Sequence, residues 1–487
     1  MMPWQGYEKG WVVFLKDSEG KIISANVETV NSRGDGVVRS GDDRFVFFVP
    51  GALPGERITG KVVIVKKSYG VLDLLEVKEP SPERIEPRCP WYGRCGGCAL
   101  QHASYGFQLK MKDTVVMDAF RKVASMVLPG FEGCVPSPLQ WGYRNKASFP
   151  VQMSKGVARA GFYSQKSHDL VPVDVCPVLE ERLESWIGPI GSALKRSGIQ
   201  AYDESEHNGL LRHIVARCAG RTSSSMVVPV VCLAPGKDIP AELKNLADMF
   251  MEEFSGVGGV NINFNPLRGN TIHGRYSRLV AGDGSITDNI CGFSVKYGPT
   301  SFFQINSLQA EFLFKAAVEE LDLLGCERVL ELYSGTGALT LNLARGRKKV
   351  HAVEEWPESA GYLRENALIN GVENIHVLEM SSERGVQFLG RAKFDVVVVD
   401  PPRKGCSEHV LKGISAIDPE YVIYISCNPS TLARDCAFLM EKGYRLRNIR
   451  TFDMFPQTFH VETIATMVKE RRKKRKPGPV AGKVRES

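Results

Sequence analysis

The chain has 487 residues, 43% of them hydrophobic and 24% charged, and it carries a formal net charge of +7. That is ordinary globular composition, long enough for several domains and a sizeable core. No apolar run is long enough to span a membrane, which excludes a membrane helix, and the positive balance admits an anionic partner without demanding one.

The opening residues, MMPWQGYEKGWVVFLKDSEG, lack the basic region and long apolar core of a secretory signal. A cytoplasmic location is therefore expected, where twelve cysteines are not expected to form disulfides. Short β-like runs come next: ISANVETV, GVVRS, RFVFFVP, ERITGKVVIVKK and GVLDLLEVKEP. Gly34, Gly36, Gly51 and the Pro54–Gly55 pair punctuate them. Short strands at regular spacing with turn signals predict a small β-barrel over residues 22–80. A Pro-rich joint, EPSPERIEPRCP, follows.

Residues 89–300 read as a mixed α+β domain. A helix is predicted over residues 108–124, and HIVAR, SMVVPVVCL and GGVNINF read as strands. From residue 301 the pattern becomes regular. The helix NSLQAEFLFKAAVEELDLLG precedes RVLELYSGTGALTLNLA; then KKVHAVEEW, NIHVLEM, FDVVVVDPP and YVIYISC alternate with helical segments. That alternation predicts a doubly wound, mainly parallel sheet over residues 301–468. The last two strands, YRLRNIRTFDMF and HVETIATMVKE, have no helix between them and are expected to pair antiparallel. Residues 469–487 form a basic tail containing KERRKKRKPGPVAGKVR, expected to be solvated and disordered.

Four segments carry chemistry. In ELYSGTGALT a strand ends near Glu331, and Gly335 and Gly337 open a helix. About twenty residues on, Glu354 ends the next strand, where an acid suits a ribose diol. Together they point to a nucleoside-bearing cofactor. In FDVVVVDPPRKG, Asp400 stands at a strand mouth before two prolines, and its bland reading is a helix cap. CPWYGRCGGCALQH sets Cys89, Cys95 and Cys98 within ten residues, with Cys176 in VDVCPV as a candidate fourth. Four thiolates hold zinc or an iron–sulfur cluster, and spacing does not separate the two. Cys134 and Cys218 are conceivable fourth ligands on chemistry alone. YISCNPSTLARD ends a strand on Cys427, at the edge where open α/β sheets bind ligands.

Asp400 with its two prolines resembles the fourth motif of S-adenosylmethionine-dependent methyltransferases. The chain as a whole resembles the bacterial RNA (uracil-5-)-methyltransferase family, and within it the 23S ribosomal RNA branch, over about residues 22–468. FVPGALPGE resembles the family's TRAM domain, an RNA-binding barrel. CPWYGRCGGCALQH with VCPV resembles its [4Fe–4S] motif, which implies Cys89, Cys95, Cys98 and Cys176 as ligands. SFFQIN matches the stretch whose glutamine contacts the cofactor, which gives Gln304 that role. Tyr333, Glu354 and Asp400 match the other cofactor positions, SCNP matches the nucleophile motif at Cys427, and HVETIA matches the base at Glu462. Ser334 stands where a cysteine is common and Ala338 where an asparagine often is; the second removes a cofactor hydrogen bond.

The resemblance implies a multidomain fold: a TRAM/OB-like β-barrel, an α+β domain with the cysteine set, and a C-terminal α/β Rossmann-like class I methyltransferase domain. It implies a monomer that uses S-adenosylmethionine to methylate C5 of a uridine in 23S ribosomal RNA, without a membrane. A thiolate adding to C6 of uracil makes C5 an enolate carbon able to take a methyl group. Cys427 is therefore expected to have a lowered pKa, favoured by the helix that begins near Pro429. Glu462, its pKa raised in a closed pocket, then removes the C5 proton. The alternatives are a transfer RNA methyltransferase with the same core and a non-catalytic RNA-binding assembly factor.

Overall fold

The strands of the C-terminal pattern are apolar at successive positions, not alternate ones. Val396–Val399 is buried throughout, and Tyr421–Ser426 is buried after its first residue. Strands of that kind belong in a parallel sheet covered on both faces. The structure is a computed structural model describing residues 19–40, 45–128, 131, 133–165, 167–347 and 349–470. It places these strands in one eight-stranded sheet, in the order Ile375–Glu379, Lys349–Glu354, Arg328–Leu332, Val396–Val399, Tyr421–Ser426, Glu462–Lys469, Tyr444–Phe452 and Cys134–Val135. The first five are mutually parallel. Glu462–Lys469 runs antiparallel to both its neighbours, as expected for the last two strands. Lys469, placed in the tail by sequence, closes this strand; the rest of the expected tail, from residue 471, lies outside the described residues.

Cys134–Val135 was not expected as a strand. It pairs parallel with Thr451 and Phe452 at the sheet edge, and two residues carry no period that could announce it. The helix Tyr105–Val123 leads toward it and packs on the helix Pro429–Glu441. Ser104 caps that helix by accepting the Phe107 N–H at 3.3 Å. Lys112, inside it, is 1% exposed and ion-paired with Asp453, which is fully buried. Its Nζ also donates to the Phe455 carbonyl at 3.0 Å.

Before this sheet, among the described residues, lie two six-stranded sheets and two two-stranded ones. The N-terminal six-stranded sheet has the order Ile22–Asn26, Arg57–Val65, Tyr69–Glu79, Phe45–Val49, Gly36–Ser40 and Thr29–Val30, around a core that includes Phe47, Ile58 and Leu72. The expected barrel is not closed by a ladder. Its two edges, Ile22–Asn26 and Thr29–Val30, do not pair among the described residues. The residues joining them bridge the gap instead: Val27 N–H donates to Glu56 O and Glu28 N–H to Val37 O, both at 2.9 Å. The central sheet has the order Tyr276–Gly282, Gly259–Phe264, Ser225–Val231, Leu211–Cys218, Lys146–Ser154 and Val157–Ala160. At its end, Arg217 is 2% exposed and donates to the carbonyls of Gly298, Pro299 and Ser301, which ties this sheet to the stretch holding Gln304. No helix among the described residues is long and apolar enough to cross a membrane.

Removing one partner of a buried ion pair leaves an uncompensated charge, at a cost of roughly 3–5 kcal/mol. Lys112→Met should therefore lower the urea midpoint strongly. Lys112→Met with Asp453→Leu should recover much of the loss. Equal midpoints for the single and double variants would contradict the pairing.

Candidate active site

Strand register brings the site together. Leu332 lies opposite Val353 and Val399, Val399 opposite Tyr424, and Ser426 opposite Thr463. Tyr333, Glu354, Asp400, Cys427 and Glu462 therefore emerge along one edge of the sheet. Tyr333 has φ +65°, a left-handed conformation unusual for a side-chain-bearing residue. Gly337 has φ +87°, and a Cβ there would stand 2.8 Å from Leu363 Cγ, so the turn needs glycine for both shape and space. At Gly335, φ +58°, a Cβ would meet nothing within 4 Å, so the turn faces open space. The Glu354 carboxylate accepts the Gly335 N–H at 2.8 Å and the Trp356 N–H at 2.7 Å. Glu331 is 2% exposed, and its Oε2 has no partner among the described residues. Burial pushes it up to about 8, with the charges of Asp400 and Glu354 adding.

Gln304 is buried, and its carbonyl accepts from Asn145 Nδ2 at 3.0 Å. Two residues on, Asn306 caps the helix Ser307–Leu323 and donates to the Met454 carbonyl at 3.2 Å.

Cys427 is half-buried and leads into the helix Pro429–Glu441. Asn428 caps that helix by accepting the Ser430 N–H at 3.2 Å, and its Nδ2 donates to the Arg403 carbonyl at 2.9 Å. Arg434 donates to the Lys404 carbonyl at 3.0 Å. Asp435, fully buried, accepts the Cys406 N–H at 2.9 Å and the Tyr424 hydroxyl at 2.6 Å. The turn that bears Cys427 and the Asp400 loop are thus one clamped unit. It aims Arg403 into the site, where its Nη2 lies 3.4 Å from His460 Nδ1.

Burial holds the Glu462 carboxyl well above its ordinary value, Asp400 pushes the same way, and Arg403 opposes both. Burial alone lifts Asp400 to about 7. Burial lifts the Cys427 thiol to about 11; Glu462 adds to it, Arg403 offsets it and Asp400 adds again. The expected lowering of this thiol is therefore corrected. The start of the following helix does not outweigh desolvation and two carboxylates.

Cys89, Cys95, Cys98 and Cys176 line one cavity of about 130 Å³. None is disulfide-bonded. Burial raises all four thiols, and the charges of Cys98 and Cys95 further raise Cys176, so the set is electrostatically coupled. Cys134 and Cys218 stand apart, one in the sheet-edge strand and one in the central sheet. Among the described residues, no group of three or more Cys, His, Asp or Glu side chains is arranged as a metal-holding set.

Sequence reading missed Arg403, His460 and the Lys112–Asp453 pair. Arg403 carried a usable signal, a charge three residues past Asp400 at a strand mouth. His460 stands two residues before Glu462, inside HVETIA, and was given no role; Lys112 and Asp453 are assembled from positions far apart in the chain.

The family profile for tRNA (uracil-5-)-methyltransferases matches residues 291–470. The chain is 36% identical over 452 residues to an uncharacterized RNA methyltransferase of Halalkalibacterium halodurans, covering 92% of this chain and 97% of the relative. It is 37% identical over 450 residues to one from Gloeobacter violaceus, covering 92% and 97%. Its fold is similar to the crystal structure of Pyrococcus abyssi tRNA (uracil-54, C5)-methyltransferase in complex with S-adenosyl-L-homocysteine, with 26% identity, a TM-score of 0.71 and coverage of 92% of this chain and 100% of that one.

The charge balance at Cys427 can be measured by iodoacetamide labelling of its peptide, read by mass spectrometry. The rate should climb about tenfold per pH unit from 7 to 9, because the thiolate is the reactive form. At fixed pH, Glu462→Gln should speed labelling and Arg403→Ala should slow it. A rate that bends over around pH 8.5, at about half its limiting value, would show an unshifted thiol.

Proposed function

Because this chain belongs to the RNA (uracil-5-)-methyltransferase family, we propose that it methylates C5 of a uridine in 23S ribosomal RNA through covalent addition by Cys427. The observation that carries this reading is the convergence of Cys427 and Glu462 on one sheet mouth, with Arg403 facing both. S-adenosylmethionine supplies the methyl group when bound. The residues present fit it: Gly335 faces open space, Glu354 stands beside it, and Glu331 keeps a buried oxygen unpartnered. Gln304, Tyr333, Glu354 and Asp400 are the residues that would hold it.

Cys427, having lost its proton to water, bonds as thiolate through Sγ to C6, and the C5=C6 electron pair moves out to C5 and O4 as an enolate. C5 then takes the methyl group. Glu462, as carboxylate, accepts the C5 proton; the C–H electron pair reforms C5=C6 and the S–C6 bond breaks. A carboxyl whose affinity for protons is raised by burial is suited to that task. The target uridine must be unstacked and turned into the site, at a cost of a few kcal/mol.

In this reading residues 22–80 act as a TRAM-like module for RNA affinity, residues 89–300 as the cysteine-bearing domain and residues 301–468 as the methyltransferase domain of a monomer. Cys89, Cys95, Cys98 and Cys176 are the proposed ligands of a [4Fe–4S] cluster. Their shared cavity supports the assignment; as the side chains stand, the described residues show no metal-holding arrangement, and the four would have to draw together and ionise around the cluster. A second reading, transfer RNA as substrate, is favoured by the tRNA specificity of the Pyrococcus relative.

Purified enzyme offered both kinds of transcript should methylate ribosomal RNA; methylation confined to transfer RNA would select the second reading. Cys427→Ala should form no covalent RNA adduct, even with 5-fluorouridine RNA. Glu462→Gln should methylate and then stall as an adduct visible on a denaturing gel. Normal turnover by either variant would remove that residue from its role. Anaerobically purified protein should be brown and contain iron and labile sulfide. Colourless, active protein with stoichiometric zinc would overturn the cluster assignment.

A further inference from the structure

The segment that leads into Glu462 is held from outside at every residue from 453 to 457. Asp453 is paired with Lys112. The Met454 carbonyl accepts from Asn306 at 3.2 Å, the Phe455 carbonyl from Lys112 at 3.0 Å and the Pro456 carbonyl from the Tyr143 hydroxyl at 2.9 Å. Gln457 is held most heavily. Its N–H donates to Gln108 Oε1 at 3.0 Å, and its Oε1 accepts from Gln108 Nε2 at 3.0 Å. Its carbonyl accepts the N–H groups of Ala99 and Leu100, both at 3.0 Å.

Those two amides directly follow Cys98, the last cysteine of the CPWYGRCGGC segment. Gln108 closes the circuit by donating to the Leu100 carbonyl at 3.1 Å and the Ala103 carbonyl at 2.9 Å. Gln457 is 2% exposed, Gln108 is 1% exposed, and Gln457 has φ +69°. A buried side-chain pair satisfied on both sides, around a left-handed residue, fixes a unique path for the chain. A connection between two antiparallel strands needs none of this, since such connections ordinarily run over the surface. Five residues after Gln457 stands Glu462.

We propose that Gln108 and Gln457 are positioning residues that set Glu462 by the position of the cysteine loop, so that release of methylated RNA, rather than methyl transfer, depends on this contact. The inference rests on the reading of Glu462 as the base. Cys427 reaches the site on a different strand and has a clamp of its own, that of Asn428 and Asp435; because the helix Tyr105–Val123 also packs on the helix that follows Cys427, methyl transfer and release have to be measured separately. A displacement of about 1 Å at a reacting group is enough for losses near 100-fold.

The test uses full-length protein, S-adenosylmethionine and a uridine-bearing RNA transcript. Gln457→Asn keeps an amide and tolerates the left-handed backbone but is too short to reach Gln108. Gln108→Glu keeps the acceptor for the Gln457 N–H and loses every Nε2 bond. Both should bind S-adenosylhomocysteine and complete single-turnover methyl transfer within about threefold of wild type. Both should accumulate the protein–RNA adduct on a denaturing gel, with steady-state kcat down about tenfold or more. Combined with Glu462→Gln, neither should slow release beyond Glu462→Gln alone, as residues acting through one group do. Equal losses in methyl transfer and release, or slow turnover without adduct, would overturn the proposal in favour of a purely structural contact. Normal turnover by Glu462→Gln would overturn the base assignment itself. Stalling by Glu462→Gln with free release by both glutamine variants would overturn this inference alone.

Discussion

The site depends on one reversal of strand direction. In a parallel sheet, only the C-terminal ends of strands meet at the ligand-binding edge, because each helix returns the chain to the far side. An acid at the beginning of a strand reaches that edge only if its strand runs backwards. Glu462 opens such a strand, paired antiparallel with Tyr421–Ser426 on one side and Tyr444–Phe452 on the other. A parallel strand of that length would have left its first residue roughly 20 Å away, at about 3.3 Å per residue. Register matters as much as direction, since a slip of one residue turns every side chain to the opposite face. Burial of Thr463, Ile464, Ala465, Thr466 and Met467 between two partners holds that register.

The same geometry crowds acids. Glu331, Glu354, Asp400 and Glu462 meet at one mouth, and Arg403 opposes the rise at Glu462. Burial favours the protonated form of these groups, and the charge of Asp400 makes Glu331 and Glu462 harder still to ionise. Such a mouth suits a positively charged ligand, whose charge would favour the ionised carboxylates by Coulomb attraction. The clamp of Asn428, Arg434 and Asp435 on the Asp400 loop keeps the acids from relaxing apart. Gly405 belongs to that clamp: a Cβ there would stand 2.6 Å from Arg434 Nη2 and 2.7 Å from Asp435 Oδ2.

What could be read from sequence was what is local. Asp400 and Cys427 each stand at the end of an apolar run, Glu462 opens one, and Gly337 sits in a turn that needs it, so strand mouth and motif were legible together. The parallel sheet followed from buried runs alternating with helices. Barrel closure was not legible, because strand propensity says nothing about which edges meet. Nor were the supports of the site. Lys112 and Asp453 are separated by 341 residues, and Gln108 and Gln457 by 349. No period or spacing relates such positions; they become neighbours when Cys134–Val135 joins the sheet edge and brings Tyr105–Val123 with it. The Cys427 thiol was misjudged for the same reason. The helix that follows it is local, while the acid beside it arrives from another strand.

That misjudgement bears on how the two proposed roles fit together. A thiol near 11 is ionised to about one part in several thousand at pH 7.5, against about one part in ten for an ordinary thiol near 8.5. Greater basicity makes the thiolate a better nucleophile, but with a Brønsted slope near 0.4–0.5 it returns only about tenfold of that roughly 300-fold deficit. The balance, about 2 kcal/mol, must come from the surroundings. Burial is the larger cause of the raised thiol, and the coupling to Glu462 supplies a further part. Cys427 is raised partly by the charge of Glu462, and a proton resting on Glu462 removes that contribution. The pair therefore favours one negative charge over two, as coupled sites do. While the sulfur carries the charge, the carboxyl keeps its proton. Once the sulfur is bonded to carbon its charge is gone, and nothing on Cys427 then opposes ionisation of Glu462. In the proposed mechanism, bonding of the sulfur to carbon removes one repulsion at Glu462, while burial and Asp400 continue to hold its proton affinity high, as a group that takes up a proton needs.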